Sequence, residues 1–388
     1  MNSGINPYAF AVNSPLLDAF AIPLRTLVNH NWMASPYLPT AQLVFAIVER
    51  VVPQNITIFQ IAAVGFDLLT GWLVLDILCM LGLPRWNVLV YLWNPLVIIE
   101  FSHSAHVDAV MISFMMLAFW FLIKESNQSK AYLSGSVFAL AAAILTKFLP
   151  ILLLPIFWWR WGWEKRMVFF ILLVLALGVF IPGAGWGIFG PVDGTGIFGA
   201  LRIYIQGWNY NGSIYHWLEV WLSGYATPGA VPIDLVGKAP IYIAKAITIA
   251  LLGSAALLTG WLSWRIVKFE HYTLDDRNLA LIRLALLPLG AYLLLTATVH
   301  PWYVTLIVPL TTFLIPKDDE SIGIKRFLWP WIYFSIAVTL SYLTYLDPVN
   351  LREFRWVRLM EYIPFYGLLG WAVIQYIRES KKTQSLLV

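Results

Sequence analysis

The stretch "LWNPLVIIEFSHSAHVDAVMISFMMLAFWFLI" (Leu92–Ile123) decides how the chain folds. Its flanks are apolar enough to lie in a bilayer, yet Glu100, His103, His106 and Asp108 fall within nine residues of one another. Ionisable groups at membrane depth are costly unless they are paired, wet or functional. Asn94-Pro95 marks a helix end, because proline lacks the N–H a helix interior needs and pushes its predecessor out of the α region. The stretch therefore predicts one helix ending near Asn94-Pro95, a turn, and a new helix.

Composition extends this reading to the whole chain. Of 388 residues, 60% are hydrophobic and 12% charged, and the mean hydropathy is +0.73. A soluble domain carries about 45–50% apolar and about 25% charged residues, so this is an integral membrane protein. The net charge of +4 is too small to suggest a nucleic-acid partner. A single cysteine, Cys79, excludes an internal disulfide and a cysteine-built zinc site. Twenty Trp and eighteen Tyr fit broad interfacial belts. The polar, Pro/Asn-rich "MNSGINPYAFAVNSPLLDAF" lacks the basic and apolar regions of a signal peptide.

A helical span needs about 20 apolar residues. Spans are expected near 56–81, 86–101, 108–123, 131–146, 149–161, 166–184, 241–264, 278–297, 302–315, 327–346 and 359–377, with 38–52 a flat interfacial helix. The predicted fold class is all-α: a polytopic transmembrane bundle of about eleven spans with extracytoplasmic loops and interfacial helices. It reads as one integral membrane domain over 1–388, with no soluble domain, linker or clear internal repeat. An extracytoplasmic loop and interfacial helix fill 1–55, core spans 56–184, a long extracytoplasmic loop 185–240, and C-terminal spans 241–388.

Lys and Arg concentrate in alternate loops, at Arg85, Lys124, Lys130, Arg160, Lys165, Arg166, Arg265, Lys268, Arg277, Lys317, Lys325, Arg326, Arg378, Lys381 and Lys382. The positive-inside rule makes these loops cytoplasmic. The opening stretch, Lys147, the 185–240 loop and "TVHPWYV" (Thr298–Val304) then share the outer face. Arg352, Arg355 and Arg358 are that face's exception. An odd number of spans puts the polar N-terminus outside without an export element, so an upstream first span is expected.

Each polar cluster has a bland and a functional reading. His103 and His106 would share a helical face if helical, and with Asp108 could hold a divalent ion; Ser104 or Asp108 could equally cap a helix; or the segment contacts a sugar or phosphate. Lys147, in "ILTKFLPILLLP", either snorkels to headgroups or faces an anionic phosphate. In "TVHPWYV", Pro301 breaks the helix, and a broken helix is tolerated where it lines a cavity. There His300 and Tyr303 could hydrogen-bond phosphate and Trp302 could stack on a sugar, or the motif is a kinked aromatic belt. "IQGWNYNGSIYHWLEVWL" offers Trp208 and Asn211 for carbohydrate, or rests on the leaflet as an amphipathic helix.

Taken in order, "GINPYAF…NHNWMASPYLPTAQLVFAI", "GFDLLTGWLVLDIL", "LWNPLVIIEFSHSAHVDAV", "AAAILTKFLPILLLPIFW", "GWNYNGSIYHWL" and "TVHPWYV" resemble polyprenyl-phosphate-sugar-dependent glycosyltransferases of the GT-C fold, especially bacterial mannosyltransferase-like members. The resemblance covers most of the chain. It implies a transferase moving a hexose, possibly mannose, from a polyprenyl-phosphate carrier to a glycan or lipid acceptor outside the cytoplasm. It also implies a site open to the extracytoplasmic face of the cell membrane.

By position, Lys147, His300 and Tyr303 match the lipid-phosphate side, and His103, His106 and Asp108 a polar site segment. "PYLPT" stands where the family has a "YPP"-type motif, with Leu38 replacing the first proline. The family's first helix and acidic motif precede the "NPY" segment, and Asp18 does not match that place. Asp108 is thus the best remaining candidate for the catalytic carboxylate. The rival readings are a lipid or solute transporter, which would want mid-membrane charges in two inverted repeats, and an intramembrane metalloenzyme.

Overall fold

The computed structural model describes residues 2–20, 25, 28–127, 135–224, 239–269, 273–317, 322–346 and 353–386. These residues form helices and turns; the only β pairing among them is two isolated bridges of Tyr210 and Asn211 to Thr298. Among the described residues four helices are long and apolar enough to cross a membrane: Ile56–Met80, Pro240–Lys268, Leu274–Leu295 and Gly323–Leu346. A fifth span is counted if Pro95–His103 and Asp108–Glu125 are joined; they bend by 119° at their break. Gly135–Thr146, Leu149–Trp158 and Pro301–Leu314 are shorter apolar helices.

Local chemistry sets several of these boundaries. Asn94 Oδ1 accepts from the N–H groups of Leu96 and Val97 at 3.1 and 3.4 Å, with Pro95 at the first helical position. Thr273 caps Leu274–Leu284 by accepting from Asp276 N–H at 3.2 Å, and Asp275 and Asp276 fill the first turn. Pro301–Leu314 alternates α and 3-10 turns. There the hydroxyls of Thr305, Thr311 and Thr312 donate to carbonyls three residues back, which competes with a regular ladder.

The chain divides into two compact units, each described by itself: 1–73, 100–151 and 161–208 form one, and 74–99, 152–160 and 209–388 the other. In the first unit the N-terminal loop is tied down by named bonds. Tyr8 is fully buried, its hydroxyl donates to Tyr37 O at 2.7 Å, and Asn6 Nδ2 donates to Phe180 O at 2.7 Å. Pro39–Val51 has 13 residues, a rise of about 20 Å, short of the roughly 30 Å hydrocarbon layer. Its Leu43, Ile47 and Val51 form an exposed apolar stripe at intervals of four.

The core of this unit is an antiparallel hairpin of Asp108–Asn127 and Gly135–Thr146. Ala139, Ala141 and Ala143 of the second helix are all buried. A polar network closes the far end of the hairpin. Lys165 pairs with Glu125 at 2.5 Å, Ser136 Oγ donates to Glu125 at 2.9 Å, and Trp161 Nε1 donates to Ser136 Oγ at 3.0 Å. The second unit packs Ala239–Lys268 against Leu286–Leu295, Ile214–Gly224 and Leu154–Trp158, and Leu328–Ala337 against Arg355–Leu386.

Candidate active site

The break after Pro95–His103 is built from irregular backbone. Ile99–His103 is a π-helical turn, a feature that concentrates at functional sites. Ala105 has φ of 52°, uncommon for a residue with a Cβ. His106 N–H donates to Glu100 O at 3.0 Å, and Gln60 Nε2 donates to His103 O at 2.7 Å. Together these fold residues 104–107 back over the π turn. His103 is exposed and His106 half-buried. The shared helical face that spacing allowed is absent, because the helix stops at His103 and does not restart until Asp108.

Asp108 opens the hairpin and Lys147 follows its return helix, Gly135–Thr146. Antiparallel packing therefore brings these residues, 39 apart in sequence, to the same end. Lys147 Nζ donates to Oδ1 and Oδ2 of Asp108, each at 2.9 Å. The Asp108 side chain is fully buried and that of Lys147 is 19% exposed. The helix termini assist both charges: the anion sits at an N-terminus and the cation just past a C-terminus. Lys147 is thus neither a lone snorkelling lysine nor an uncommitted one.

Beside this pair, His106 Nε2 lies 3.3 Å from Oε2 of the fully buried Glu100, a contact longer than an aligned hydrogen bond. Tyr37, from the "PYLPT" segment, packs against Val107 and Val110. Burial, and then the charge of Asp108, pushes its hydroxyl up to about 12. Among the described residues no group of three His, Cys, Asp or Glu side chains is arranged to hold a metal ion.

The second unit brings two separate sequence motifs together. Tyr210 N–H donates to Ala297 O at 3.1 Å and Val299 N–H donates to Tyr210 O at 2.8 Å, so "WNYNGS" lies along the segment entering "HPWY". Gly212 is required there: a Cβ would sit 2.8 Å from Ala297 O and 2.9 Å from Thr296 O. Buried His300 is stacked on Tyr210 on one side (4.8 Å, 24°) and Trp302 on the other (4.3 Å, 6°), with Tyr303 edge-on at 5.4 Å. His300 therefore already covers one face of Trp302.

Asn211, at φ 52°, donates from Nδ2 to Glu361 Oε2 at 2.6 Å and from its N–H to Glu353 Oε2 at 3.0 Å. Its carbonyl accepts from the Tyr362 hydroxyl at 2.8 Å, and Glu353 also pairs with Arg358. Trp208 falls in the first unit, where its ring stacks on Tyr204 at 5.5 Å and meets His30 edge-on at 4.8 Å.

Sequence reasoning named Asp108, Lys147 and His106 without pairing them, and gave no role to Glu100, Tyr37, Tyr210, Glu353 or Glu361. The signal available for Glu361 was an acid inside the apolar run 359–377; Tyr210 carried none beyond lying between Trp208 and Asn211.

No curated protein and no solved structure gives a match to this chain. Residues 1–163, which contain the whole Glu100–His106 and Asp108–Lys147 cluster, match the family model described as alpha-(1->6)-mannopyranosyltransferase, N-terminal domain, and the resemblance to bacterial mannosyltransferases holds for this part of the chain.

Proposed function

We propose that the chain is a membrane mannosyltransferase that takes its sugar from a polyprenyl-phosphate carrier and delivers it to a glycan or lipid acceptor on the extracytoplasmic side of the cell membrane, within a GT-C-type bundle of about eleven spans. The observation that carries this reading is the buried Asp108–Lys147 pair at a helix break, inside the stretch that matches the mannosyltransferase domain.

A lysine held by a buried carboxylate is a phosphate site with its counter-ion in place. Without ligand, Asp108 holds the ammonium through two hydrogen bonds. When the donor's phosphate arrives, Lys147 exchanges carboxylate for phosphate oxygen, and its positive charge stabilises the charge that grows on the leaving phosphate. Asp108 remains the first candidate for the carboxylate that such an exchange frees. His103, exposed at the break, is assigned to substrate contact. In the second unit, taken by itself, Asn211, His300, Trp302 and Tyr303 are assigned to sugar or phosphate contacts, and Trp208 to the same class of contact in the first.

The test is transfer of labelled mannose from polyprenyl-phosphate-mannose to a mannoside acceptor by the purified chain in lipid vesicles. Lys147→Ala should raise the donor KM at least tenfold. Movement of lipid or solute across the vesicle without any sugar transfer would replace this reading with the transporter one.

A further inference from the structure

We infer that the glycine-rich loop 183–199 of the first unit is a membrane anchor. Its tip, Ile188, Phe189 and Val192, dips into the acyl boundary of the leaflet at which the helix Trp163–Gly178 ends, and the partner of this apolar tip is the lipid bilayer itself.

The first reason lies in the sequence. From Met167 to Val192 there is no charged side chain, whereas chain in water carries about 25% charged residues. The helix uses only part of that run. Trp163–Gly178 has 16 residues, a rise of about 24 Å, and turns replace it after Gly178. The chain past the helix is a loop by conformation and membrane-like by composition.

The fold sorts the loop's apolar side chains into two sets. Ile181, Ala184, Ile197 and Phe198 turn inward and pack with Tyr8 and Leu38. Ile188, Phe189 and Val192 turn outward, with Phe189 98% and Val192 86% exposed. The outward set follows along the chain from a stripe on the helix: Phe170, Ile171, Val174, Leu175 and Val179 are exposed at spacings of three and four. In a membrane protein such a stripe faces lipid, and its continuation into the tip names the bilayer as the occupant.

The loop backbone suits that place. Irregular backbone is excluded from the hydrocarbon layer because its polar groups go unsatisfied there, so the backbone stays at headgroup level and only the tip side chains pass below it. Gly190 N–H donates to Gly187 O at 3.3 Å, Ile197 N–H to Gly185 O at 3.1 Å and Phe198 N–H to Trp186 O at 2.9 Å; Pro191 has no N–H to satisfy. Gly187 and Gly196, at φ of 72° and 93°, lie backbone against backbone, and a Cβ on either would overlap the other. Trp186 stacks on Phe198 at 6.0 Å, a ring suited to the headgroup level. The base is tied to the N-terminal loop: Gly196 N–H donates to Tyr8 O at 2.8 Å, and Ala34 N–H to Asp193 O at 3.1 Å. The anchor thereby sets the height of the segment leading into Tyr37.

The experiment uses the full chain carrying Cys79→Ser and Phe189→Cys, labelled with a nitrobenzoxadiazole dye and reconstituted in vesicles of phosphatidylcholine and phosphatidylglycerol. Asn13→Cys, on an exposed polar stretch, is the aqueous reference, and Val174→Cys, on the helix stripe, the lipid reference. The label at 189 should emit at shorter wavelength than the label at 13. Nitroxides on the lipid acyl chains should quench it, most strongly those placed about 5–10 Å below the headgroups, and iodide present on both sides of the bilayer should quench it weakly. Adding Ile188→Asp and Val192→Asp should restore iodide quenching with an unchanged unfolding midpoint. Strong iodide quenching without nitroxide quenching in the parent would put the tip in water. Protection from both quenchers would put it against protein, and a blue shift that needs added polyprenyl phosphate would put it on a carrier chain. Each of these three results overturns the anchor.

Discussion

Lys147→Met tests the central geometry by stability rather than by rate. The substitution keeps an unbranched side chain of similar length and removes the ammonium, leaving Asp108, fully buried, with neither oxygen paired to it. Breaking a buried ion pair by deleting one partner costs about 3–5 kcal/mol, because the remaining charge stays buried. An exposed pair would cost about 0–1 kcal/mol. At roughly 2 °C per kcal/mol for a large chain, the first case lowers the unfolding midpoint by about 6–10 °C and the second by about 2 °C or less.

The assay is thermal unfolding of the purified protein in one detergent, followed by tryptophan fluorescence, for wild type, Lys147→Met, and the double variant Asp108→Asn/Lys147→Met. The double variant removes the orphaned charge along with its partner, so it should recover most of the loss. Equal midpoints for single and double variants, or a single variant within 2 °C of wild type, would refute the argument. The pair would then be too well hydrated to carry the proposed phosphate exchange.

Gly212→Ala should cost about 1–3 kcal/mol, since its Cβ meets two backbone carbonyls that cannot swing away; faster hydrogen exchange at the Tyr210 and Val299 amides would report the parted bridge. His216, in the second unit outside the spans, is pushed down to about 4 by burial and then by Arg358 and Arg355. Its neutral form is the one the fold prefers. Its contribution is therefore complete above the ordinary histidine value of about 6.5 and is lost as pH falls towards 4, and His216→Gln should flatten stability against pH in that window while leaving it unchanged above pH 7.

Some of this was legible from residues alone. One helix ends just before Asn94-Pro95 and the helical run is interrupted at Pro301, as expected, because capping and the missing proline N–H are local effects. Asp108 with Lys147 was not legible as a pair. Each is visible as a charge in an apolar run, but their contact depends on the length and direction of a hairpin whose turn carries no spacing signal. The π turn and the left-handed Ala105 were likewise hidden, since no residue type demands either. Hydropathy marked 302–315 as a span, and the structure builds it from short α and 3-10 pieces; threonine hydroxyls competing for carbonyls do not lower hydropathy enough to be seen. The pairing of "WNYNGS" with "TVHPW" is a long-range backbone contact, for which Gly212 was the sole local hint.

Charge balance in the proposed phosphate exchange yields a last prediction. With His106 neutral, the cluster of Glu100, His106, Asp108 and Lys147 carries one net negative charge, if both acids are ionised. A sugar phosphodiester brings one more, and as the glycosidic bond breaks the phosphate gains another. Accumulating like charge in a buried site is costly, so the site needs a positive charge beside the phosphate. Lys147 supplies a standing positive charge throughout. Asp108 opposes donor entry both by its own charge and by holding Lys147. Asp108→Asn should therefore lower the donor KM by about tenfold, equivalent to roughly 1.4 kcal/mol, whatever it does to kcat. An unchanged or raised donor KM in that variant would mean that Asp108 is not the group the phosphate displaces.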